Sequence, residues 1–503
     1  MSGILNNAVV GWKTLLLSTL SLLAILAVAQ IFSAWYRLRH IKGPWSAGFS
    51  KLWLLRHVGG PTMHTDLAEV CSKYGSLARI GPNDLVTSNP EVLRRILGVR
   101  SAYVRSDFYD GMRTEPGIDS VLSQRDDEKH NTLRTKMAAG YSGKENDNLE
   151  DTIDRSVLAL VNLIDKKYIS SKEIFRPFDF GRKAQYFTLD VISDVAFGEC
   201  FGDLESDGDM YEYIKTIETF MPALMIFSVY PWLNKILESS FMKRFLPSDK
   251  DLTGVGKLKG IAKRVVGERF GPDAKDHRDM LGSFIRHGLT QDEAISSTVV
   301  QIIAGSDSTA TAIRSTLLHI ITNPSITSKL LDEISRTFPS SPISNIEALS
   351  LPYLQATIKE GLRICPPATA LLSKEVPIGG DTINNLFVPA GTKIGWCPWA
   401  IFRNKEIWGE DADYFRPERW LEGDEGKRRE MEGGLDLVFS GGKWQCLGKN
   451  VALIELNKVF VELLRNFEIS VVDPTKAPWK SINKGFFLQS EMWLRAERRE
   501  PRL

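Results

Sequence analysis

The sequence predicts a mainly α fold with small β-sheets (α+β), carried by one long body behind an apolar N-terminal helix. Three observations predict it. Helical patterning dominates from about residue 125 to 335. Strand signals are short and confined to a few places. The clearest single element is a helix from about Gln291 to Thr322. No repeat and no long low-complexity linker divides the 503 residues, so the chain reads as an anchor and linker over 1–42 and one domain over 43–503.

Composition narrows the function. Hydrophobic residues make up 43% and charged residues 25%, the balance of an ordinary globular protein. Lys and Arg number 63 against 62 Asp and Glu, and the net charge of +1 gives no electrostatic case for nucleic acid. The five cysteines are scattered, odd in number and without a C-x-x-C pair, which argues against a disulfide framework or a zinc site and fits a reducing compartment.

The first element is the apolar helix. No charge stands between Lys13 and Arg37, a stretch of roughly 34 Å as a helix, enough to cross a bilayer core. A cleaved signal peptide is the rival reading, opposed by the length of the apolar core and by the lack of a small-x-small cleavage site. Trp35 and Tyr36 sit where an interfacial belt belongs, and Arg37, Arg39 and Lys42 follow, which keeps the bulk of the chain cytosolic. Gly43-Pro44 then breaks the helix and is expected to free the body from its anchor. The expectation is a single-pass protein of an endoplasmic-reticulum-type membrane.

Strands come next. Leu77 to Thr87 is a hairpin with Gly81-Pro82 as its turn, and short strands lie between 375 and 400 around the turn Pro389-Ala390-Gly391. The long helix is started by a Thr290/Glu293 capping box and stopped by Asn323-Pro324. It spans roughly 48 Å, enough to cross the whole body. Its middle, Ala304-Gly305-Ser306-Asp307-Ser308-Thr309, holds its poorest helix formers. Such a placement marks either a site or a small-residue seam against another helix.

Two further motifs follow. Glu360 and Arg363 lie one turn apart and can pair across a helix face, and Arg419 in Phe415-Arg416-Pro417-Glu418-Arg419-Trp420 can join them. Most such pairs are solvated, and a buried one would lock two elements together. The last motif runs from Phe439 to Gly448 around Cys446 and opens an amphipathic helix ending near Arg465. A sulfur at that helix start gains from the dipole and from N–H groups aimed by Gly441 and Gly442, which favours a thiolate. Gly448 leaves room for a flat ligand, and a thiolate so held suits an axial ligand of haem iron. A lone buried cysteine is otherwise a structural residue.

Taken in order, apolar anchor, proline break, A-G-S-D-S-T helix, E-x-x-R, P-E-R-W and F-x-x-G-x-x-x-C-x-G, the chain resembles the cytochrome P-450 family over its whole length. The fungal microsomal, pisatin-demethylase-like group is the nearer likeness, through His130-Asn-Thr-Leu-Arg134, Lys136 to Asn146 and Trp444-Gln-Cys446-Leu-Gly-Lys449. The resemblance implies the triangular, helix-rich P-450 fold, haem b with Cys446 as the thiolate ligand, and Phe439, Gly442 and Gly448 shaping its loop. It implies Glu360, Arg363 and Arg419 as a structural triad and His130 with Arg134 near a haem propionate. Asp307 and Ser308 match the acid–alcohol pair that relays protons to dioxygen. Ser308 stands where Thr is usual, with Thr309 next, so either hydroxyl can serve. Trp444 replaces the usual basic residue, and Lys443 or Lys374 can compensate.

The implied activity is monooxygenation of a lipophilic small molecule with electrons from NADPH. No nucleotide-binding fingerprint is present, so a membrane-bound NADPH–cytochrome P-450 reductase is the implied partner, with cytochrome b5 as a second, docking on a face that includes Lys129, Lys136, Lys443 and Lys449. Val299, Val300, Ile303, Ala304, the segment 368–372 and the segment 486–488 are candidate substrate contacts. Fungal secondary metabolism is the leading setting and detoxification of an aromatic the second. A haem-thiolate isomerase or dehydratase working without dioxygen and a non-catalytic membrane-tethered haem binder or sensor are the readings from other classes.

Overall fold

The computed structural model describes residues 2–500 other than 116, 147, 240, 272, 273 and 338, so the last three residues of the proposed domain lie outside it. The apolar run forms helix α1 (Ser2–Arg37), and its Leu15–Arg37 part is long and apolar enough to cross a membrane and is exposed from Leu15 as far as Ser33. The far end of α1 is docked. Arg79, almost fully buried, donates to the carbonyls of Ala34 and Trp35 at 3.0 and 3.1 Å and to those of Gly48, Gly81 and Pro82. Arg37 donates to Ala390 O at 2.8 Å, and Trp35 stacks on Phe49. Gly43-Pro44 therefore does not release the body. The last carbonyls of a helix lack internal partners, and here an arginine of the body supplies them.

A five-stranded sheet lies beside this junction. Its strands are β1 (Leu77–Arg79), β2 (Asp84–Thr87), β3 (Val104–Arg105), β4 (Lys374–Glu375) and β5 (Lys393–Trp396), in the order β1-β2-β5-β4-β3. The predicted hairpin is present, antiparallel with Leu77 opposite Thr87, and β2 runs parallel to β5 with Leu85 opposite Ile394. The sheet thus joins two segments nearly 300 residues apart in sequence and brings Arg105 next to Lys374.

Three smaller sheets of two or three strands hold seven further strands, and the rest of the described body is mainly helical. Helices α2 (Asp127–Tyr141), α3 (Phe180–Phe197), α4 (Tyr213–Val229), α5 (Gln291–Ile321), α6 (Pro352–Ile364) and α7 (Lys449–Asn466) position the site. Helix α5 starts with the Thr290/Glu293 capping box, and a new helix begins at Pro324. It packs on α3, α6 and α7 and is buried over most of its length. It runs unbroken through 304–309, and two hydroxyls bond back along it: Ser308 Oγ donates to Ala304 O at 2.6 Å and Thr311 Oγ1 to Asp307 O at 2.9 Å. Gly305 does serve as a seam, since a Cβ there would lie 2.8 Å from Ile192 of α3.

Candidate functional site

The loop before α7 is built around one bond: Cys446 N–H donates to Phe439 O at 2.8 Å. Between them Gly442 takes φ +56°, and a Cβ there would lie 2.0 Å from Leu97 O, so only glycine fits. At Gly448 a Cβ would meet only ordinary contacts, 3.9 Å from the sulfur and 4.0 Å from the Tyr141 ring. The N–H groups of Gly448 and Lys449 point at the sulfur, as expected of a helix start. Burial nevertheless wins: it raises the Cys446 thiol pKa despite those donors and the charges of Arg134 and Lys449. The helix-start donors favour the thiolate, as expected, but burial outweighs them. Deep as it lies, Cys446 still has exposed surface.

Helix α5 has accessible surface too. Val300, Ile303, Gly305 and Ser308 are half-buried and Ala304 is exposed, in a stretch whose other residues are buried; Val300, Ala304 and Ser308 stand at i, i+4 and i+8. Thr309 and Asp307 are buried, 3% and 5% exposed. Of the two candidate hydroxyls, only that of Ser308 lies on the accessible stripe. Asp307 and Ser308, about 100° apart around the helix, do not point the same way. Asp307 instead accepts from Tyr213 Oη of α4 at 2.6 Å and from Gln185 Nε2 of α3 at 3.1 Å. Burial pushes its pKa up to about 6, opposed by those two donors and by the charge of Arg314. Val299, a candidate substrate contact, is buried away from the stripe.

Beside the loop stands a cluster of donors. Arg134 Nη1 donates to Gln445 O at 2.6 Å, which places it next to Cys446. His130 is buried, its Nδ1 has no partner, and burial with the nearby Arg105 and Arg134 charges pushes its pKa down to about 3, so the ring is neutral. Arg105 Nε and Trp444 Nε1 are likewise buried without partners. Lys374 is buried 4.7 Å from the Trp444 ring centre and Lys443 lies 4.5 Å from it. Lys374 bonds Tyr109 Oη at 2.6 Å, and Lys443 is paired with Asp127. Burial and the charges of Arg105 and Lys443 push the Lys374 pKa well down. Buried cations and unpartnered N–H groups gathered around one carboxylate form a place for an anion. Arg105 escaped the sequence reading, because only the β3–β4 pairing brings it here.

The triad is joined as expected and is wholly buried. Arg363 Nε and Nη2 grip Glu360 at 2.9 and 2.8 Å, Arg419 Nε reaches it at 3.0 Å, and Trp420 Nε1 at 2.9 Å. Both side chains of the Glu360–Arg363 pair are 0% exposed. The turn after the double proline meets the C-terminal turn: Gly485 O accepts from the N–H groups of Thr369 and Ala370, and Ala368 bridges to Phe486. Of the lysines proposed for docking, Lys136 pairs with Glu293, Lys443 with Asp127 and Lys449 with Asp436, while Lys129 is exposed.

A deep cysteine with exposed surface, an accessible stripe on a buried helix and an anion-seeking rim together fit a flat metal macrocycle with acidic arms, held through thiolate; they describe a haem-thiolate protein. The comparisons with known proteins agree. A family model described as cytochrome P-450 matches residues 44–492. The cytochrome P-450 monooxygenase ABA1 of Pyricularia oryzae is 44% identical over 502 residues, covering 96% of this chain and 98% of that one. The monooxygenase aba1 of Botryotinia fuckeliana is 39% identical over 92% of each chain, and abl1 of Leptosphaeria maculans 35% identical over 92% of this chain and 84% of its own. The chain belongs to the cytochrome P-450 family, a haem-thiolate family, and is an oxidoreductase of the monooxygenase type.

Proposed function

We propose that this protein inserts one oxygen atom from dioxygen into a lipophilic small molecule in fungal secondary metabolism. NADPH supplies the electrons through a membrane-bound NADPH–cytochrome P-450 reductase, with cytochrome b5 as a second donor. The accessible Val300/Ala304/Ser308 stripe, inside a body where Cys446 also has open surface, carries the reading.

Cys446 holds the haem iron, and bound haem supplies dioxygen activation, to which the thiolate lends electron density. The remaining work falls to the chain. Phe439 O and the N–H groups of Gly448 and Lys449 fix the sulfur. Arg134, His130 and the unpartnered donors of Arg105 and Trp444 take the propionates, with Lys374 beside them. Ser308 presents its hydroxyl to the cavity, and Asp307 stores the proton behind it. Glu360, Arg363 and Arg419 hold the haem-side core. Val300, Ala304, the half-buried Leu372 and Phe486 give the substrate apolar walls. Residues 1–42 anchor the body over 43–503 to the endoplasmic reticulum membrane, with the body cytosolic.

The test is spectroscopic. Cys446→Ala is expected to lose the red-shifted Soret band of the reduced carbon monoxide complex, and an unchanged band sinks the ligand assignment. NADPH consumption with reductase present, matched by loss of a lipophilic substrate, separates turnover from haem binding alone.

A further inference from the structure

Asp307 is a carboxyl group 5% exposed in the middle of a helix, and the way it is held is specific to its neighbours. A fully charged partner is available: Arg314, on the same helix and 1% exposed. It does not reach Asp307. Its Nη2 donates to Gln185 Oε1 at 2.5 Å and its Nε to Gly181 O at 2.8 Å. Gln185 turns its amide to Asp307 at 3.1 Å and to Ser306 Oγ at 2.6 Å. Gln185 is thus a spacer between the guanidinium and the carboxyl. The shortest contact to Asp307 comes from Tyr213 Oη, at 2.6 Å, in the first turn of α4. The backbone of Tyr213 is in turn pinned by Asp209, which accepts from the N–H groups of Tyr213 and Ile214.

A direct arginine pair would keep a buried aspartate ionised over the whole useful pH range, and no donors at all would keep it protonated. Uncharged donors leave both forms accessible. We propose that Tyr213 and Gln185 form a cradle of uncharged donors that holds Asp307 as an exchangeable proton store behind Ser308, with Gln185 keeping the Arg314 charge one side chain away. Tyr213 and Gln185 are positioning residues, and the proposal rests on the reading of Asp307 as the relay acid. The charged groups around the carboxyl are accounted for on each packed element: Arg182 of α3 is paired with Glu218 of α4 at 2.9 Å, Arg314 of α5 is spent on Gln185, and Asp179 and Asp209 lie beyond Arg314 and Tyr213.

The experiment uses full-length holoenzyme and follows the protonated carboxyl stretch of Asp307 by difference infrared spectroscopy against pH, with Asp307→Asn to assign the band. Tyr213→Phe keeps the ring and removes one donor to the carboxylate, so the titration is expected to move up by about one to two pH units. Gln185→Leu removes the amide that keeps Arg314 one side chain away, so the freed guanidinium is expected to move the titration the opposite way, down. A titration unmoved in folded Tyr213→Phe overturns the proposal, and where that variant fails to fold, an unmoved titration in Gln185→Leu does so. The fraction of NADPH coupled to product serves as the control on the underlying reading. If Asp307→Asn leaves coupling unchanged, the relay reading falls and the proposal with it. If Asp307→Asn lowers coupling while the Tyr213→Phe titration stays in place, the proposal alone falls.

Discussion

Of the carboxylates buried in this protein, Glu360 and Asp307 are held in opposite ways. Glu360 is gripped by the guanidinium groups of Arg363 and Arg419 and by an indole N–H. Asp307 receives a phenol and an amide, with the nearest arginine turned aside. The first arrangement fixes charge in place and ties α6 to the Pro417–Trp420 turn. The second leaves a proton free to come and go. Burial is the same for both; the charge of the partners decides whether a buried acid is architecture or chemistry.

The largest effect expected from breaking this contrast comes from Glu360→Ala. It leaves the buried Arg363 guanidinium without its counter-charge and Arg419 with Asp411 alone, and costs about 3–5 kcal/mol. Chemical denaturation and haem content measure it; normal holoenzyme with unchanged stability would mean that the network is dispensable. A middle effect is expected from pH. The folded Asp307 titrates at about 6, above the roughly 3.9 of an unfolded aspartate. Its proton therefore favours the folded state, fully below about pH 4, and that contribution is lost as pH rises through about 6. Relative to Asp307→Asn, the wild-type protein should lose about 2 kcal/mol between pH 4 and 7. Equal pH slopes for the two proteins would remove Asp307 from this role. The smallest effect on stability, within about 0.5 kcal/mol, is expected for Ser308→Ala, because Ser308 lies on the open stripe. Its consequence is chemical: more peroxide released per NADPH consumed. Thr309→Ala, at a buried position, is expected to leave that ratio alone, and the reverse result would move the relay by one residue.

Several elements were legible from residue order because their causes are local. The capping box at Thr290 and Glu293, the Gly81-Pro82 hairpin, the apolar run of α1 and the i, i+3 pair at Glu360 each depend on a few neighbouring residues. Other features were missed or misread because their causes lie far along the chain. Arg79 on the end of α1, Arg105 beside Lys374, and Tyr213 with Gln185 around Asp307 come from segments 45 to 269 residues away, and none carries a local signal. The thiol of Cys446 was read from its helix start, where the donors are indeed present; the burial that outweighs them is a property of everything packed around it.

Sequence alone set much of the secondary structure, the long apolar N-terminal helix and the candidate reactive groups, since backbone hydrogen bonds and apolar periodicity act over short stretches. Tertiary structure alone decided which of two adjacent hydroxyls meets the cavity and which charges surround each buried acid. Helix rotation and desolvation are set by the packing of distant segments, and those quantities separate an inert carboxyl from a working one.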